Sequence, residues 1–362
     1  MEASITTIHV VQHLAPGGLE ALAINMLTFS KPSNSVLIVS LEGTKEKALA
    51  KWPRLKEIKS QIMFLDKPDG YSITTLYSLY KLFRCIKPDV VHTHHIGPML
   101  YGATAARMAG VKSRIHTEHD AWHLSNNKHR SLQGLALKIA QPTLVADANL
   151  VREQLHNHFS EQHIRVIKNG IDCETFKPGS KHLARQALSI PLDKTIIGSA
   201  GRLEHVKGHD LLIQAIALLP DTYHLVIAGD GSQRQMLTEL VIQLGLENRV
   251  TFLGLVDDMP RFYQSLDLFC LPSRSEGFPL STLEAQSCDI VTLCTNVGAS
   301  KETLCPHTGW LVSRDCVETM AKGIWTALHE TTSHSPREFV TKHNDIRQMV
   351  QAYHNLAQEK LA

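Results

Sequence analysis

The segment TIIGSAGRLEHVKGHDLLIQAIALL (residues 195–219) decides the fold prediction. It begins with a short run of apolar and β-branched residues and turns at Gly201, where the lack of a side chain lets the backbone bend sharply. After Gly208 it continues as a helix with apolar residues along one face. A buried strand followed by a glycine turn and an amphipathic helix is typical of parallel α/β sheets.

The alternation of short apolar strands with longer helical segments recurs along the chain and restarts once. Residues 170–181 contain Gly170, Pro178 and Gly179 and break this rhythm, which predicts a linker between two similar domains. The predicted strands are 5–12, 35–41, 61–66, 89–94, 113–119, 144–148 and 164–169 before the break, and 195–201, 223–230, 249–254, 266–273 and 289–296 after it.

The length of 362 residues fits two domains of about 100–200 residues each. We expect an α/β protein with two doubly wound, Rossmann-like domains, at 1–170 and 171–335. A helical tail, 336–362, is expected to pack back toward the N-terminal domain. Doubly wound domains bind ligands at the carboxyl ends of their strands, so two such domains facing each other would form a cleft.

Composition excludes several classes of protein. Apolar residues at 43% and charged residues at 20% are ordinary for a globular chain, and a net charge of +2 gives no reason to expect a nucleic-acid partner. The seven cysteines include no C-x-x-C pair, which argues against a disulfide framework or a zinc ribbon and predicts a cytoplasmic protein. The start of the chain lacks a basic segment and a long apolar run, so we expect no signal peptide.

Charge is unequal between the two halves. Residues 1–175 carry 20 basic against 15 acidic residues, and residues 176–362 carry 17 against 20. The basic segment 107–138 also contains Trp122 and ends within the apolar run LQGLALKIA (132–140). Such a segment can dock on the anionic inner face of the cytoplasmic membrane as a peripheral contact, although chance scatter of charge and a solvated helix face explain the pattern equally well.

Candidate ligand-binding residues lie at two predicted strand ends of the second domain. Arg202 and Lys207 follow the turn at Gly201, and two fixed cations at a strand end suit a diphosphate, although solvated surface cations are the plainer interpretation. Glu276 precedes a helix that starts near Leu280, and Glu284 lies eight positions further on, where we expect the first helical turn. A helix start with free N–H groups is an anion site, and carboxylates beside it suit sugar hydroxyls.

These motifs in combination resemble those of the retaining glycosyltransferases of family 4 (glycosyl transferases group 1), which have the GT-B fold. The resemblance covers about residues 5–330. It rests on G-R-L-x-x-x-K-G (201–208), E-x₇-E (Glu276 to Glu284), PGGLE (16–20), PDVVHTHH (88–95), AGDG (228–231), FLG (252–254), NVGASKE (296–302) and TGWLV (308–312).

The resemblance implies roles for individual residues. Arg202 and Lys207 would bind the diphosphate of a nucleotide sugar and stabilise the negative charge of the leaving group. Glu276 would contact the donor sugar, and Glu284 would hold the ribose. The donor-binding loop would also include Gly201 and the segment Phe278, Pro279, Leu280 and Ser281, whose backbone N–H groups help to hold sugar and phosphate. No cofactor and no metal would be needed.

Two further candidates lie in the first domain. Gly17 and Gly18 open a predicted helix and would allow close approach of a phosphate or of the acceptor, although a plain turn and helix cap explains them equally well. The resemblance places His119, at the end of the strand SRIHTEH, against the donor sugar, with His116 as a nearby rival. His92 and His94 share one face of a strand and His95 follows, but no carboxylate–histidine motif accompanies them, so a structural metal is not expected.

The sequence therefore predicts a metal-independent hexosyltransferase. It would move a hexose or N-acetylhexosamine, with retention, from a nucleoside diphosphate sugar to a hydroxyl of a glycan or lipid-linked acceptor in cell-surface polysaccharide synthesis. A UDP-sugar is the favoured donor and GDP-mannose the second. The alternatives are a nucleotide-sugar epimerase of the same fold and a catalytically silent nucleotide-sugar-binding subunit.

Overall fold

A computed structural model describes residues 4–160, 162–330 and 333–361, and it divides the chain into two compact units. The first unit comprises the chain up to Gly170 together with the residues from Ile346 onward. The second unit runs from Ile171 to Asp345. Each unit contains a parallel sheet with helices in its crossovers, which confirms the predicted α/β class with two doubly wound domains.

The first unit is built on a sheet that has seven strands among the described residues. The strands are β1 (Thr6–Val11), β2 (Ser35–Ser40), β3 (Ile62–Phe64), β4 (Val90–His94), β5 (Ser113–Glu118), β6 (Thr143–Ala146) and β7 (Ile164–Val166). The helices up to β7 are α1 (Gly18–Thr28), α2 (Lys45–Lys51), α3 (Ile73–Ile86), α4 (Ile96–Pro98), α5 (Thr104–Met108), α6 (Asn127–Ala140) and α7 (Asn149–His158). The strand order is β3-β2-β1-β4-β5-β6-β7, so β1 and β4 are the neighbours at which the winding direction reverses.

The second unit repeats this architecture with a sheet of six strands in the described part of the chain. The strands are β8 (Thr195–Ala200), β9 (Tyr223–Ala228), β10 (Val250–Gly254), β11 (Leu268–Leu271), β12 (Thr292–Thr295) and β13 (Gly309–Val312). The helices are α8 (Lys181–Ala187), α9 (His209–Ala217), α10 (Arg234–Gln243), α11 (Met259–Gln264), α12 (Leu280–Ser287), α13 (Val317–His329) and α14 (Pro336–His343). The order β10-β9-β8-β11-β12-β13 places the reversal between β8 and β11.

The near-continuous apolar strands are explained by burial on both faces of the sheet. Ile196 and Ile197 are adjacent on β8 and fully buried, yet they belong to different clusters. Ile197 packs with residues of α9 and α13, whereas Ile196 packs with residues of α11 and α12. Because each fully buried aliphatic side chain contributes about 1.5–3 kcal/mol, both faces of the strand help to stabilise the unit.

The expected tail, 336–362, divides between the two units. Helix α14 belongs to the second unit, where Arg337 donates hydrogen bonds to the carbonyl oxygens of Cys173, Phe176 and Ser287 at 2.9, 2.9 and 2.6 Å. The last helix, α15 (Ile346–Leu361), belongs to the first unit and buries Met349, Tyr353 and Leu356 among residues of α1, β4 and β5. The boundary therefore lies at 345/346 rather than at the expected 335/336.

Strand β13 was not among the predicted strands. It is an edge strand of four residues, and none of them is fully buried, so its apolar signal is weak. Among the described residues, no helix combines the length and the apolar character needed to cross a membrane.

Candidate functional site

The predicted donor-binding residues of the second unit gather at the carboxyl ends of β8 and β11. A short 3₁₀ helix, His205–Lys207, follows the turn after β8, and the loop that contains Glu276 follows β11. The Lys207 Nζ donates a hydrogen bond to Glu276 Oε1 at 2.6 Å. Arg202 lies on the same turn and is exposed. The structure thus brings Lys207 and Glu276 into direct contact and leaves the guanidinium of Arg202 open to solvent.

The carboxylate of Glu276 is buried and held in place by its own loop. Ser273 Oγ donates to Glu276 Oε1 at 2.6 Å, so this oxygen accepts from both Ser273 and Lys207. Among the described residues, no hydrogen bond is formed to Oε2. A buried carboxylate with one oxygen fixed and the other available can accept hydrogen bonds from hydroxyl groups of a ligand.

Arg274 joins the loop of Glu276 to the turn that carries Lys207, and sequence reasoning missed it. Its guanidinium donates to both carboxylate oxygens of Asp210, at 2.8 and 2.7 Å, and to the carbonyl oxygen of His205 at 2.7 Å. Burial alone would raise the pKa of Asp210, but the bonds from Arg274 hold that pKa below its ordinary value. Asp210 lies in the segment 195–219, and Arg274 lies two residues before Glu276, yet their pairing appears only when β8 and β11 become neighbours.

Gly298 supports the loop of Glu276 from the neighbouring segment. Its φ is +52°, and a Cβ at this position would lie 1.8 Å from the carbonyl oxygen of Glu276. The next residue, Ala299, donates its N–H to the carbonyl oxygen of Gly277 at 3.0 Å. Only glycine allows the two backbones to approach this closely, which explains the glycine of the NVGASKE stretch in physical terms.

Helix α12 begins at Leu280, with Pro279 in the N-cap position. Phe278 and Pro279 are buried, while Leu280 and Ser281 are partly exposed. The first turn is fixed by Thr282, whose hydroxyl donates to the carbonyl oxygen of Pro279 at 2.7 Å. The first turn of a helix leaves backbone N–H groups without partners inside the helix, and Pro279 has no N–H to add to them. Anion binding at this helix start stays a prediction.

Glu284 lies in the second turn of α12, not in the first, because the helix starts at Leu280 and Glu284 is its fifth residue. The expectation of a first-turn carboxylate was wrong on this point. Tyr263, which is buried on α11, donates its hydroxyl to Glu284 Oε2 at 2.7 Å. Burial raises the pKa of the Glu284 carboxyl, and the bond from Tyr263 opposes that shift. Glu284 therefore contacts neither Lys207 nor Glu276 through a hydrogen bond.

In the first unit, Gly17 and Gly18 lie at the start of α1, as predicted. Gly17 is the N-cap residue with an extended φ of −170°, a conformation open to any residue. The carboxylate of Glu20 packs against it, so that a Cβ on Gly17 would lie 2.3 Å from Glu20 Oε2. An acidic side chain already occupies the positive end of this helix, where a phosphate or the acceptor was expected.

His119 is buried directly after β5, and both of its ring nitrogens have partners. Nε2 lies 3.1 Å from His94 Nδ1, and Nδ1 lies 3.2 Å from Asp147 Oδ2. Asn169 donates to the same Asp147 oxygen at 2.8 Å. Burial raises the pKa of Asp147. Sequence reasoning missed Asp147, and its signal was its position near the carboxyl end of the predicted strand 144–148.

The rival histidine, His116, belongs to a separate network. Its Nδ1 lies 3.0 Å from Thr93 Oγ1, and its Nε2 lies 3.3 Å from Glu118 Oε2. His116 is fully buried within β5. His119 is thus the one of the pair that lies beyond the strand end.

Comparison with known proteins places this architecture in a family. The sequence model described as "Glycosyl transferases group 1" matches residues 180–343, and "Glycosyltransferase Family 4" matches residues 16–175. The two matches fall almost entirely within the second and the first unit, respectively. The chain belongs to glycosyltransferase family 4, and its two units have the GT-B fold.

Individual relatives support this assignment. A D-inositol 3-phosphate glycosyltransferase of Mycobacterium sp. (strain KMS) is 31% identical over 233 residues, which cover 58% of this chain and 52% of that protein. An Escherichia coli UDP-Gal:α-D-GlcNAc-diphosphoundecaprenol α-1,3-galactosyltransferase is 31% identical over 245 residues, which cover 62% of each. The match therefore spans about half to three fifths of the length of these curated relatives.

A solved structure shows the same fold over nearly the whole chain. Anabaena HepE, crystallised in complex with UDP, superposes with a TM-score of 0.85 at 20% identity and covers 98% of this chain and 100% of its own. At this level of identity the likeness establishes the fold.

Proposed function

We propose that the chain is a retaining glycosyltransferase that takes a hexose or N-acetylhexosamine from a nucleoside diphosphate sugar. The contact between Lys207 and Glu276 at the start of α12 carries this proposal. It combines a cation for the diphosphate, a carboxylate for sugar hydroxyls and free backbone N–H groups, which are the groups a nucleotide-sugar site needs. HepE was crystallised with UDP, and the E. coli relative is named for UDP-Gal, so a UDP-sugar is the favoured donor and GDP-mannose the second.

In the proposed reaction, Arg202 and Lys207 bind the diphosphate. The bond between the anomeric carbon and the β-phosphate oxygen breaks, and a bond to the acceptor hydroxyl oxygen forms on the same face of the sugar. The acceptor proton passes to the departing phosphate. The cations stabilise the charge that develops on this phosphate, a role in which a fixed donor contributes about 10²–10³-fold to the rate.

The remaining predicted residues have supporting roles in this proposal. Glu276 accepts hydrogen bonds from the sugar through Oε2. Glu284, whose Oε2 accepts from Tyr263, also accepts from the ribose hydroxyls. His119 stays the candidate sugar contact of the first unit. Since cations and a helix start supply the positive charge, we propose that transfer needs no metal and no cofactor.

A donor panel tests the proposal. The melting temperature of the purified chain is measured with UDP, GDP, ADP and the corresponding sugars, since a ligand at 100 times its Kd stabilises the folded state by about 2.7 kcal/mol. We expect UDP and one UDP-sugar to raise the melting temperature. No rise with any nucleoside diphosphate would overturn the proposal.

The stabilising donor is then incubated with a panel of glycan and lipid-linked acceptors, and NMR of the product gives its anomeric configuration. Inversion of the anomeric configuration would contradict the retaining mechanism. If a chelator inhibits transfer and added magnesium or manganese restores it, the proposal of metal-independent transfer is wrong. Epimerised free nucleotide sugar without an acceptor would favour the epimerase, for which the two curated relatives above, both glycosyltransferases, give no support.

We also propose that the acceptor is reached at the inner face of the cytoplasmic membrane through the basic segment 107–138. On α6, Leu135 and Ile139 are 55% and 47% exposed at a spacing of four residues, and Trp122 is 51% exposed. Lys128 and Lys138 are exposed on the same helix. Exposed apolar side chains flanked by lysines suit an anionic lipid surface.

Co-sedimentation with phosphatidylglycerol vesicles tests this contact. Replacing Leu135 and Ile139 with serine should lower the bound fraction several-fold, whereas Tyr77→Ser, at a similarly exposed aromatic outside the segment, should not. Equal binding of both variants and wild type would contradict the membrane proposal and leave the donor site untouched.

A further inference from the structure

Three buried histidines of the first unit converge on one face of its sheet. His9 on β1 lies in register with His92 on β4, and His94 follows on the same face of β4. All three side chains are at least 97% buried. One ring nitrogen of each histidine lies within 4.8 Å of a ring nitrogen of each of the other two. In the described part of the chain, no other three His, Cys, Asp or Glu side chains bring their ligand atoms this close together.

Two of the nitrogens already have the spacing of metal ligands. His9 Nδ1 and His94 Nε2 are 3.3 Å apart. Nitrogens bound to one tetrahedral zinc ion, with Zn–N distances of about 2.0–2.1 Å, are also about 3.3 Å from each other. The ligand nitrogen of His92 lies within 4.8 Å of these two nitrogens, so it has to move closer to them to complete the site.

The surrounding hydrogen bonds orient these nitrogens. Asp147 accepts from His119 Nδ1, so the Nε2 of His119 carries the lone pair and accepts from His94 Nδ1. The Nε2 of His94 therefore has a lone pair directed at His9. A ligating histidine that passes its other N–H on toward a carboxylate is the usual outer arrangement of zinc sites.

The third histidine is oriented in a similar way. His92 Nε2 lies 2.8 Å from Thr117 Oγ1, which in turn lies 2.9 Å from the hydroxyl of Tyr353 on α15. This leaves His92 Nδ1 for the cluster. The hydrogen bond between His9 Nδ1 and His94 Nε2 needs one proton between these two nitrogens. A metal ion bound to both nitrogens would take the place of that proton.

Space and charge are also available. A cavity of about 230 Å³ is lined by His9, His92 and Tyr353, and it is large enough for a water molecule as a fourth ligand and for entry of an ion. Asp147 Oδ1 is buried with no hydrogen-bond partner among the described residues, so the Asp147 carboxylate can offset part of the positive charge through His119 and His94.

We propose that His9, His92 and His94 bind one zinc ion, with a water molecule from this cavity as the fourth ligand. The ion would tie β1 to β4 and, through His94, would fix the ring of His119. This site adjoins His119 in the first unit, and zinc binding there does not depend on the proposed transferase activity.

Metal content and spectroscopy test the proposal on the full chain without a histidine tag. The protein is stripped with a chelator and titrated with cobalt, and we expect one equivalent to bind with the intense visible absorption of tetrahedral cobalt. One equivalent of zinc should bleach this absorption and raise the melting temperature. X-ray absorption of the zinc form should show three imidazole nitrogens at about 2.0 Å. No stoichiometric binding, or a first shell with fewer than three imidazoles, would overturn the proposal.

Variants assign the ion to these side chains. His94→Ala and His9→Gln should each weaken zinc affinity at least about 100-fold in competition with a chelator. His224→Gln, at a buried histidine of the second unit that bonds Thr251 at 2.8 Å, should retain the affinity of wild type. Unchanged zinc affinity in a folded His94 or His9 variant would contradict the proposal. If neither variant folds, the cobalt and X-ray absorption measurements on the wild-type protein decide whether the site exists.

Discussion

The two units place their candidate ligand-binding side chains in opposite environments. In the second unit, Lys207 and Glu276 are charged partners, and the Lys207 side chain keeps 23% of its surface exposed. In the first unit, burial lowers the pKa of His9 to about 4 and the pKa values of His92 and His94 well below the usual range, so these imidazoles are neutral at pH 7. A charged pair near solvent can exchange one partner for an anionic ligand, whereas a neutral buried group is suited to internal bonds.

The largest effect should come from removing the cation of the charged pair. We expect Lys207→Ala to lower kcat by about 10²–10³-fold and to abolish the rise in melting temperature with the donor. The melting temperature without ligand should fall by only a few degrees, because Glu276 keeps its bond from Ser273. Steady-state kinetics and thermal shifts measure both quantities.

Lys322→Ala is the matched control, because Lys322 is an exposed lysine on α13 of the same unit. Unchanged activity of Lys207→Ala would remove the donor site and the contrast between the two units.

The second test concerns the backbone support of Glu276. Gly298→Ala combines a strained positive φ with a direct clash against the Glu276 carbonyl. We therefore expect the free energy of unfolding to fall by about 2–4 kcal/mol. Donor affinity should fall as well, because the loop of Glu276 is displaced. Gly245→Ala has a φ of +67° and no atom within 4 Å of the new Cβ, so it should cost only about 1–2 kcal/mol. Urea unfolding compares the two variants, and equal losses would show that the close approach at Gly298 is unimportant.

A smaller, pH-dependent effect is expected at Glu284. Because burial raises the pKa of its carboxyl, the folded state holds the proton more tightly than the unfolded chain does, and stability falls as the pH rises above about 4.5. Glu284→Gln removes this loss and can still accept the bond from Tyr263. The melting temperature of the variant relative to wild type should therefore increase between pH 5 and pH 8, while donor affinity falls. A constant difference across this range would contradict the assignment.

A second pH-dependent effect is expected at His123 in the first unit. Burial would lower its pKa, but Asp120 and Glu118 outweigh burial and raise the pKa to about 9. The protonated form therefore stabilises the fold fully below about pH 6.5, and this contribution is lost as the pH rises toward 9. We expect the melting temperature of wild type to fall more steeply than that of His123→Gln between pH 7 and pH 9.5. Parallel curves would show that His123 is not charged in the fold.

The sequence was informative wherever one local pattern determines the outcome. Apolar β-branched runs predicted twelve of the strands, because both faces of each sheet are buried, and the break near residues 170–181 predicted where the second unit begins. The end of that unit at Asp345 was missed, because α14 is attached to it by the bonds of Arg337, a contact between residues far apart in sequence.

The candidate sites show the same limit. Lys207 and Glu276 were predicted together from motifs at successive strand ends. The partnership of Arg274 with Asp210 and the entry of His9 into the histidine cluster were not, because both depend on which strands become neighbours. Glu284 was assigned to the wrong helical turn, since a shift of one or two residues in a helix start is not visible in the sequence.

The position of α15 has a consequence for biosynthesis. The first unit is assembled from two separate stretches of chain, and its closing piece follows 175 residues that form the other unit. On the ribosome, the contiguous unit has all of its residues available before the apolar surface of α1, β4 and β5 receives Met349, Tyr353 and Leu356. The half that is translated first is therefore the half that completes its folding last, and in the interval its uncovered surface is the part of the nascent chain most exposed to chaperones and to aggregation.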